Sequence, residues 1–164
     1  MLNGLLEFGV LDYIPPAIFE KCETFTSSLH YYEKIEPIFA EIVPLEHDLF
    51  ECLKIDEEFE REAKCESFKV YFGKYTELTK MLKNEMLLHQ AYIPKPVFEE
   101  STTFVVQMQD DFDYWFDMEK CLFAGEYGKI DYEKGEKTVE MLLVKLAKME
   151  VSIKNSLKEL CDFS

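Results

Sequence analysis

The sequence has little of what phosphate-binding and catalytic motifs require. Arg61 is the only arginine among the 18 basic residues, and there are three histidines. Because arginine is the residue suited to bidentate recognition of phosphate, a phosphate-binding role is not expected. No G-x-S-x-G, H-E-x-x-H or EF-hand pattern occurs, and the G-x-x-G-K string at Gly125–Lys129 lacks the flanking glycine and hydroxyl residue of a phosphate-binding loop. We therefore predict no catalytic residue and no cofactor.

Closely paired cysteines are also missing. The five cysteines are odd in number and widely spaced, with no C-x-x-C pair: Cys22, Cys52, Cys65, Cys121 and Cys161. This spacing argues against a disulfide framework and against a zinc knuckle. We expect reduced, mostly buried thiols and a cytoplasmic protein.

Long hydrophobic runs are absent as well. No apolar stretch approaches the roughly 18 residues that span a bilayer, so we predict no membrane insertion. The N-terminal arm, residues 1–14, is apolar, but it has no basic flank and contains Glu7 and Asp12, unlike a secretory signal. We expect this arm either to cover the rest of the fold or to pair with a second copy as a homodimer.

Helical periodicity, in contrast, runs through most of the chain and predicts an all-α fold. We predict helices over about 16–54, 56–92, 98–123 and 133–162, with the first divided in two near Pro37 or Pro44. Short connections between long helices are typical of antiparallel neighbours. The prediction is therefore one domain over residues 1–164, an antiparallel bundle of four to five helices in which the 56–92 helix is long and central.

Negative charge is the most distinctive feature. The formal net charge is −15, and residues 1–66 alone hold 16 acidic against 5 basic residues. Two groups of carboxylates are candidates for a partner-binding surface: Asp110, Asp113 and Asp117 on one side of the third helix, and Glu57, Glu58 and Glu62 at the start of the second. A solvated surface that maintains solubility is the ordinary meaning of such charge. An acidic face also attracts basic proteins, repels nucleic acid and can imitate its phosphates.

The leading hypothesis is consequently a non-enzymatic acidic helical interaction protein. It would act as an inhibitor, an immunity or antitoxin-like factor, or a chaperone or adaptor. A basic protein partner is expected, without direct nucleic-acid binding. A second possibility is a structural subunit of a larger helical assembly, with residues 1–14 as the contact.

A third possibility is a metal-binding helix-bundle enzyme or carrier. Polar residues interrupt the apolar stripes at Glu85, His89, Glu119 and Glu150, and Glu46 does the same in the first region. Inward carboxylates and histidines from facing helices build metal centres in helix bundles. Folding the helices back places Glu85, His89 and Glu150 in one layer and Glu119 several turns away. A buried ion pair explains the same pattern without a metal.

Overall fold

A computed structural model describes residues 16–160 of the chain; the N-terminal arm of residues 1–14 lies outside them. The described residues form four α-helices: α1 Pro16–Cys52, α2 Arg61–His89, α3 Lys95–Phe123 and α4 Tyr132–Leu160. Short 3-10 turns at Glu58–Glu60 and Tyr127–Lys129 precede α2 and α4. No strand occurs between residues 16 and 160. The all-α prediction is confirmed.

Helix α1 is one continuous helix of 37 residues, with Pro37 and Pro44 in its interior. The predicted division near these prolines is wrong. Each proline frees the carbonyl four residues earlier, at Glu33 and Ala40, and all four positions lie on the exposed side of α1. Water can satisfy the freed carbonyls there, while the opposite side of the helix packs into the core. The prediction of a long central helix is not confirmed, because α1 is the longest helix and α2 has 29 residues.

The connections explain where α2 begins and α3 ends. The Glu60 carboxylate accepts hydrogen bonds from the backbone N–H groups of Asp56 and Glu57, which fixes a tight turn ahead of α2. The predicted start at Asp56 therefore becomes a start at Arg61. After α3, Gly125 has a φ of 71°, a left-handed conformation that glycine adopts without steric cost.

Each helix packs against two neighbours: α1 and α3 both contact α2 and α4. Helices α1 and α3 lie diagonally across the core, where their large side chains meet. The rings of Phe39 and Phe104 are 4.9 Å apart, and the Tyr31 hydroxyl donates to Ser101 Oγ at 2.9 Å. The core therefore extends along the α1–α3 diagonal.

One glycine lets three helices approach closely. A Cβ atom on Gly135 of α4 would lie 2.6 Å from the Tyr114 hydroxyl of α3 and 2.7 Å from the Phe50 ring of α1. These distances leave no room for a side chain, so Gly135 sets the spacing of α4 against α1 and α3.

Within residues 16–160, no helix combines the length and the apolar character that crossing a bilayer requires.

Candidate functional site

The acidic residues predicted on α3 are exposed. Asp110, Asp113 and Asp117 lie on the solvent side of the helix, whereas Trp115 is fully buried. Asp110 and Asp113 line an open groove between α2 and α3.

The opposite wall of that groove carries basic side chains, Lys80 and Lys83 of α2. Positive charge therefore faces the carboxylates of Asp110 and Asp113, and the electrostatic field of this groove is mixed rather than purely negative.

The second predicted group, Glu57, Glu58 and Glu62, lies where the α1–α2 and α3–α4 connections meet. The Tyr127 hydroxyl donates to Glu58 Oε2 at 3.0 Å, and the Tyr132 hydroxyl donates to the Leu53 carbonyl at 2.9 Å. These two bonds hold the connections side by side, so both contribute to one surface at this end of the helices.

Carboxylates dominate that surface. Residues 51–62 and 126–133, here called the acidic end, carry nine acidic residues: Glu51, Asp56, Glu57, Glu58, Glu60, Glu62, Glu126, Asp131 and Glu133. They carry three basic residues: Lys54, Arg61 and Lys129. The formal net charge of the acidic end is −6, nine acids against three bases.

A large aromatic side chain projects from the acidic end. Phe59 is 78% exposed, the highest value among the large hydrophobic side chains of the described residues. It lines a solvent-open groove of about 540 Å³ together with Phe123, which is 41% exposed. Three carboxylates, of Glu58, Glu62 and Glu66, and two basic side chains, of Arg61 and Lys69, line the same groove. We call this the Phe59 groove. It offers apolar contact area bordered by three acidic and two basic side chains.

The candidate metal ligands are only partly brought together. His89 Nδ1 donates to the Glu85 carbonyl at 2.9 Å and lies 3.5 Å from Glu85 Oε2. The His30 ring of α1 is 5.5 Å from the His89 ring, centroid to centroid. Because the Nδ1 hydrogen is engaged by a carbonyl, the neutral His89 ring keeps its Nε2 as an acceptor.

Glu150 and Glu119 face other residues. Glu150 lies close enough to Tyr32 to contribute to a raised pKa of that phenol, after burial and Glu36. Burial raises the pKa of Glu119, and the Lys69 ammonium opposes this shift. In the part of the chain that the structure describes, no group of three or more histidine, cysteine, aspartate or glutamate side chains is placed to hold a metal ion.

The core contains a pair of carboxyl groups on diagonal helices. Glu46 of α1 is 0% exposed and Asp111 of α3 is 2% exposed. The Trp115 indole N–H donates to Glu46 Oε1 at 3.0 Å, and the Gln107 amide donates to Asp111 Oδ1 at 2.9 Å. The other two oxygens, Glu46 Oε2 and Asp111 Oδ2, are buried, and no group among residues 16–160 donates a hydrogen bond to them.

Burial disfavours the charged form of both groups. Removal from water raises the pKa of Glu46 well above its usual range, and the neighbouring Asp111 adds to this. Burial likewise raises the pKa of Asp111, to about 6, while the hydrogen bond from Gln107 opposes the shift. Of the two groups, Glu46 is therefore the one whose neutral form burial favours more strongly.

Sequence reasoning identified Glu46 as a polar interruption but overlooked Asp111. The pattern contained the necessary information. Phe104, Met108, Asp111 and Trp115 follow one another at spacings of three or four and are all buried. Asp110, one position earlier, is rotated by about 100° and is exposed.

Comparisons of the chain with protein-family models, with curated proteins and with solved structures found no match.

Proposed function

We propose that this protein is a non-enzymatic, acidic helical interaction protein that binds a basic protein partner through its acidic end. One observation carries the proposal: Phe59, 78% exposed, projects from a surface of formal net charge −6. An inhibitor, an immunity or antitoxin-like factor and a chaperone or adaptor are all forms of this function. If the basic partner is a nucleic-acid-binding protein, the acidic end would imitate the charge of its nucleic acid.

The two features of the surface have different roles in binding. Exposed carboxylates attract a basic partner over roughly a Debye length and raise the association rate, and this contribution weakens with salt. A projecting aromatic ring that enters an apolar pocket loses its water and contributes affinity once the surfaces meet. Glu57, Glu58 and Glu62 supply the charge, and Phe59 and Phe123 supply the apolar contact.

The acidic end is favoured over the α3 face because its negative charge is less opposed. Lys80 and Lys83 stand across the groove from Asp110 and Asp113, two bases against two acids. At the acidic end nine acids face three bases of the same segments and two lysines of the adjoining helices, Lys64 and Lys137. Asp110, Asp113 and Asp117 would extend the contact to a larger partner. Cytoplasmic location and a homodimer formed through residues 1–14 remain predictions.

Neutralising variants test the proposal. We would compare the Asp56→Asn/Glu57→Gln/Glu62→Gln protein with a control, Glu33→Gln/Glu77→Gln/Glu140→Gln, which has the same net charge and changes exposed residues elsewhere. Tagged proteins would be used for capture from native lysate at low and high salt. The proposal expects one basic partner that the wild type and the control retain at low salt and the acidic-end variant loses. Equal retention by both variants contradicts it.

A further inference from the structure

We propose that Glu46 and Asp111 form a buried proton-binding site, in which one proton shared between the two carboxyl groups bridges α1 and α3. The ligand of this site is a proton. The proton completes a polar network that crosses the core between these diagonal helices, and so makes the packing of α1 against α3 sensitive to pH.

The argument begins with donors and acceptors. An ionised carboxylate only accepts hydrogen bonds, so two ionised groups cannot satisfy each other. The pair has four oxygens, of which Trp115 and Gln107 satisfy one each. Glu46 Oε2 and Asp111 Oδ2 remain, both buried, and the two side chains lie within hydrogen-bonding reach of each other. One proton supplies the missing donor and satisfies both oxygens.

The surroundings decide which group carries the proton. Glu46 is 0% exposed, and this burial favours its protonated form, whereas the hydrogen bond from Trp115 opposes the shift less strongly. Asp111 accepts from Gln107, and the Lys134 ammonium of α4 stabilises its charged form. The arrangement therefore runs from the Trp115 N–H to Glu46 Oε1, and from the protonated Glu46 Oε2 to Asp111 Oδ2.

Other titratable groups near the pair come from each helix packed against it. Tyr75 of α2 has its pKa raised by burial and by both carboxyl groups, and its hydroxyl donates to the Met108 carbonyl at 3.1 Å. Asp110 of α3 opposes ionisation of Asp111, whereas Lys134 of α4 favours it. On α1, the titratable group of the pair is Glu46 itself. Neither Tyr75, whose proton is already engaged, nor Lys134 supplies the bridging proton.

Two carboxyl groups that share a proton bury one negative charge with a donor between them, whereas two ionised groups repel each other and lack that donor. The folded protein should therefore hold the proton more tightly than the unfolded chain. Raising the pH removes it and weakens the contact between α1 and α3.

The sole tryptophan gives a direct measurement. The indole N–H resonance of Trp115 would be followed by ¹H–¹⁵N NMR from about pH 5 to about pH 9, together with the ¹³C resonances of the side-chain carboxyl groups. The proposal expects the indole resonance and the Glu46 carboxyl resonance to titrate together, with a midpoint well above the usual glutamate pKa. It also expects Glu46→Gln to abolish the titration of the indole resonance. Glu77→Gln, on the exposed side of α2, should leave it unchanged.

Three outcomes would overturn the proposal. The Glu46 carboxyl resonance could titrate near its usual value, the indole resonance could stay constant in the wild type, or a chelator could shift it, in which case a metal ion occupies the pair. The carboxyl and indole measurements need only the wild-type protein, so the proposal stays testable if Glu46→Gln does not fold.

Discussion

The indole N–H of Trp115 on α3 donates a 3.0 Å hydrogen bond to Oε1 of Glu46 on α1, across the diagonal of the core. Both residues are 0% exposed. This bond joins the largest of the fully buried side chains among the described residues to a carboxyl group with no solvent-exposed surface. It makes the tryptophan a structural element of the polar network and not only a hydrophobic filler.

Replacing the tryptophan tests that statement. Trp115→Phe keeps an aromatic ring but removes the N–H, and leaves Glu46 Oε1 buried without a donor. We expect a loss of about 2–4 kcal/mol in the free energy of unfolding, from the unsatisfied oxygen and the smaller ring. Urea unfolding measures it. In the Glu46→Leu background, Trp115→Phe should reduce the free energy of unfolding by less, because no carboxylate oxygen is then left without a donor. Equal losses in the two backgrounds would contradict the network.

Two helical glycines give opposite predictions for the same substitution. Gly135→Ala forces a Cβ atom to within 2.6 Å of the Tyr114 hydroxyl and 2.7 Å of the Phe50 ring, and we expect a loss of about 1–3 kcal/mol. Gly73→Ala, in the interior of α2, meets nothing within 4 Å and should raise stability by about 0.5–1 kcal/mol. Thermal unfolding of both variants tests the packing of α4. Stabilisation by Gly135→Ala would show that the approach of the helices is looser than described.

The carboxyl pair should make the free energy of unfolding decrease as pH rises. Burial raises the pKa of Glu46 and Asp111 above the values of the unfolded chain, which are 4.5 and 3.8. The folded state then binds more protons than the unfolded state. The pair therefore makes its largest contribution to the free energy of unfolding when the pH is below the pKa values of the unfolded chain. This contribution falls as pH rises through about 6, where Asp111 titrates, and further as Glu46 loses its proton.

The difference between the wild type and Glu46→Gln isolates this contribution, because the other carboxylates titrate in both proteins. We expect Glu46→Gln to gain stability relative to the wild type as pH rises from about 5 to about 8.5, since the amide donates to Asp111 at every pH. Urea unfolding at several pH values gives the curve. A difference that is constant across this range would contradict the assignment.

The sequence predicts the features that rest on a long repeating pattern of apolar residues better than those that rest on one position. The apolar period extends over whole helices, so four helical segments were located to within a few residues apart from the start of α2. Pro37 and Pro44 do not divide α1, because a proline need not end a helix where the carbonyl that it frees faces solvent. Asp111 and Asp110 are adjacent in sequence, and only the phase of α3 separates the buried one from the exposed one.

The Phe59 groove was not predicted, for a different reason. Phe59 lies in a connection, where no period indicates whether a side chain is buried. Its exposure follows from the 3-10 turn at Glu58–Glu60 and from contacts between connections that are far apart in sequence, such as Tyr127 with Glu58. The acidic run around it was visible, but the aromatic ring within it was not recognised as part of a surface.

Loss of the ring should weaken partner binding without affecting the fold. Phe59→Ala removes an exposed side chain, so the free energy of unfolding should change by less than about 0.5 kcal/mol. If the ring is an interface anchor, affinity for the basic partner should fall by about 30-fold or more. Binding by surface plasmon resonance and unfolding in urea separate the two effects. Unchanged affinity would show that Phe59 is not part of the interface. The role of the carboxylates is tested separately by the Asp56→Asn/Glu57→Gln/Glu62→Gln protein.

The most direct test of the proposed function is photo-crosslinking from position 59. Phe59 would be replaced by p-benzoylphenylalanine, and Val151, which is 57% exposed on α4, would be replaced in a control protein. Irradiation in native lysate should give one adduct with a basic protein from position 59, lost at high salt and absent from position 151. The same adducts from both positions, or none from position 59, would contradict binding of a basic partner at the acidic end.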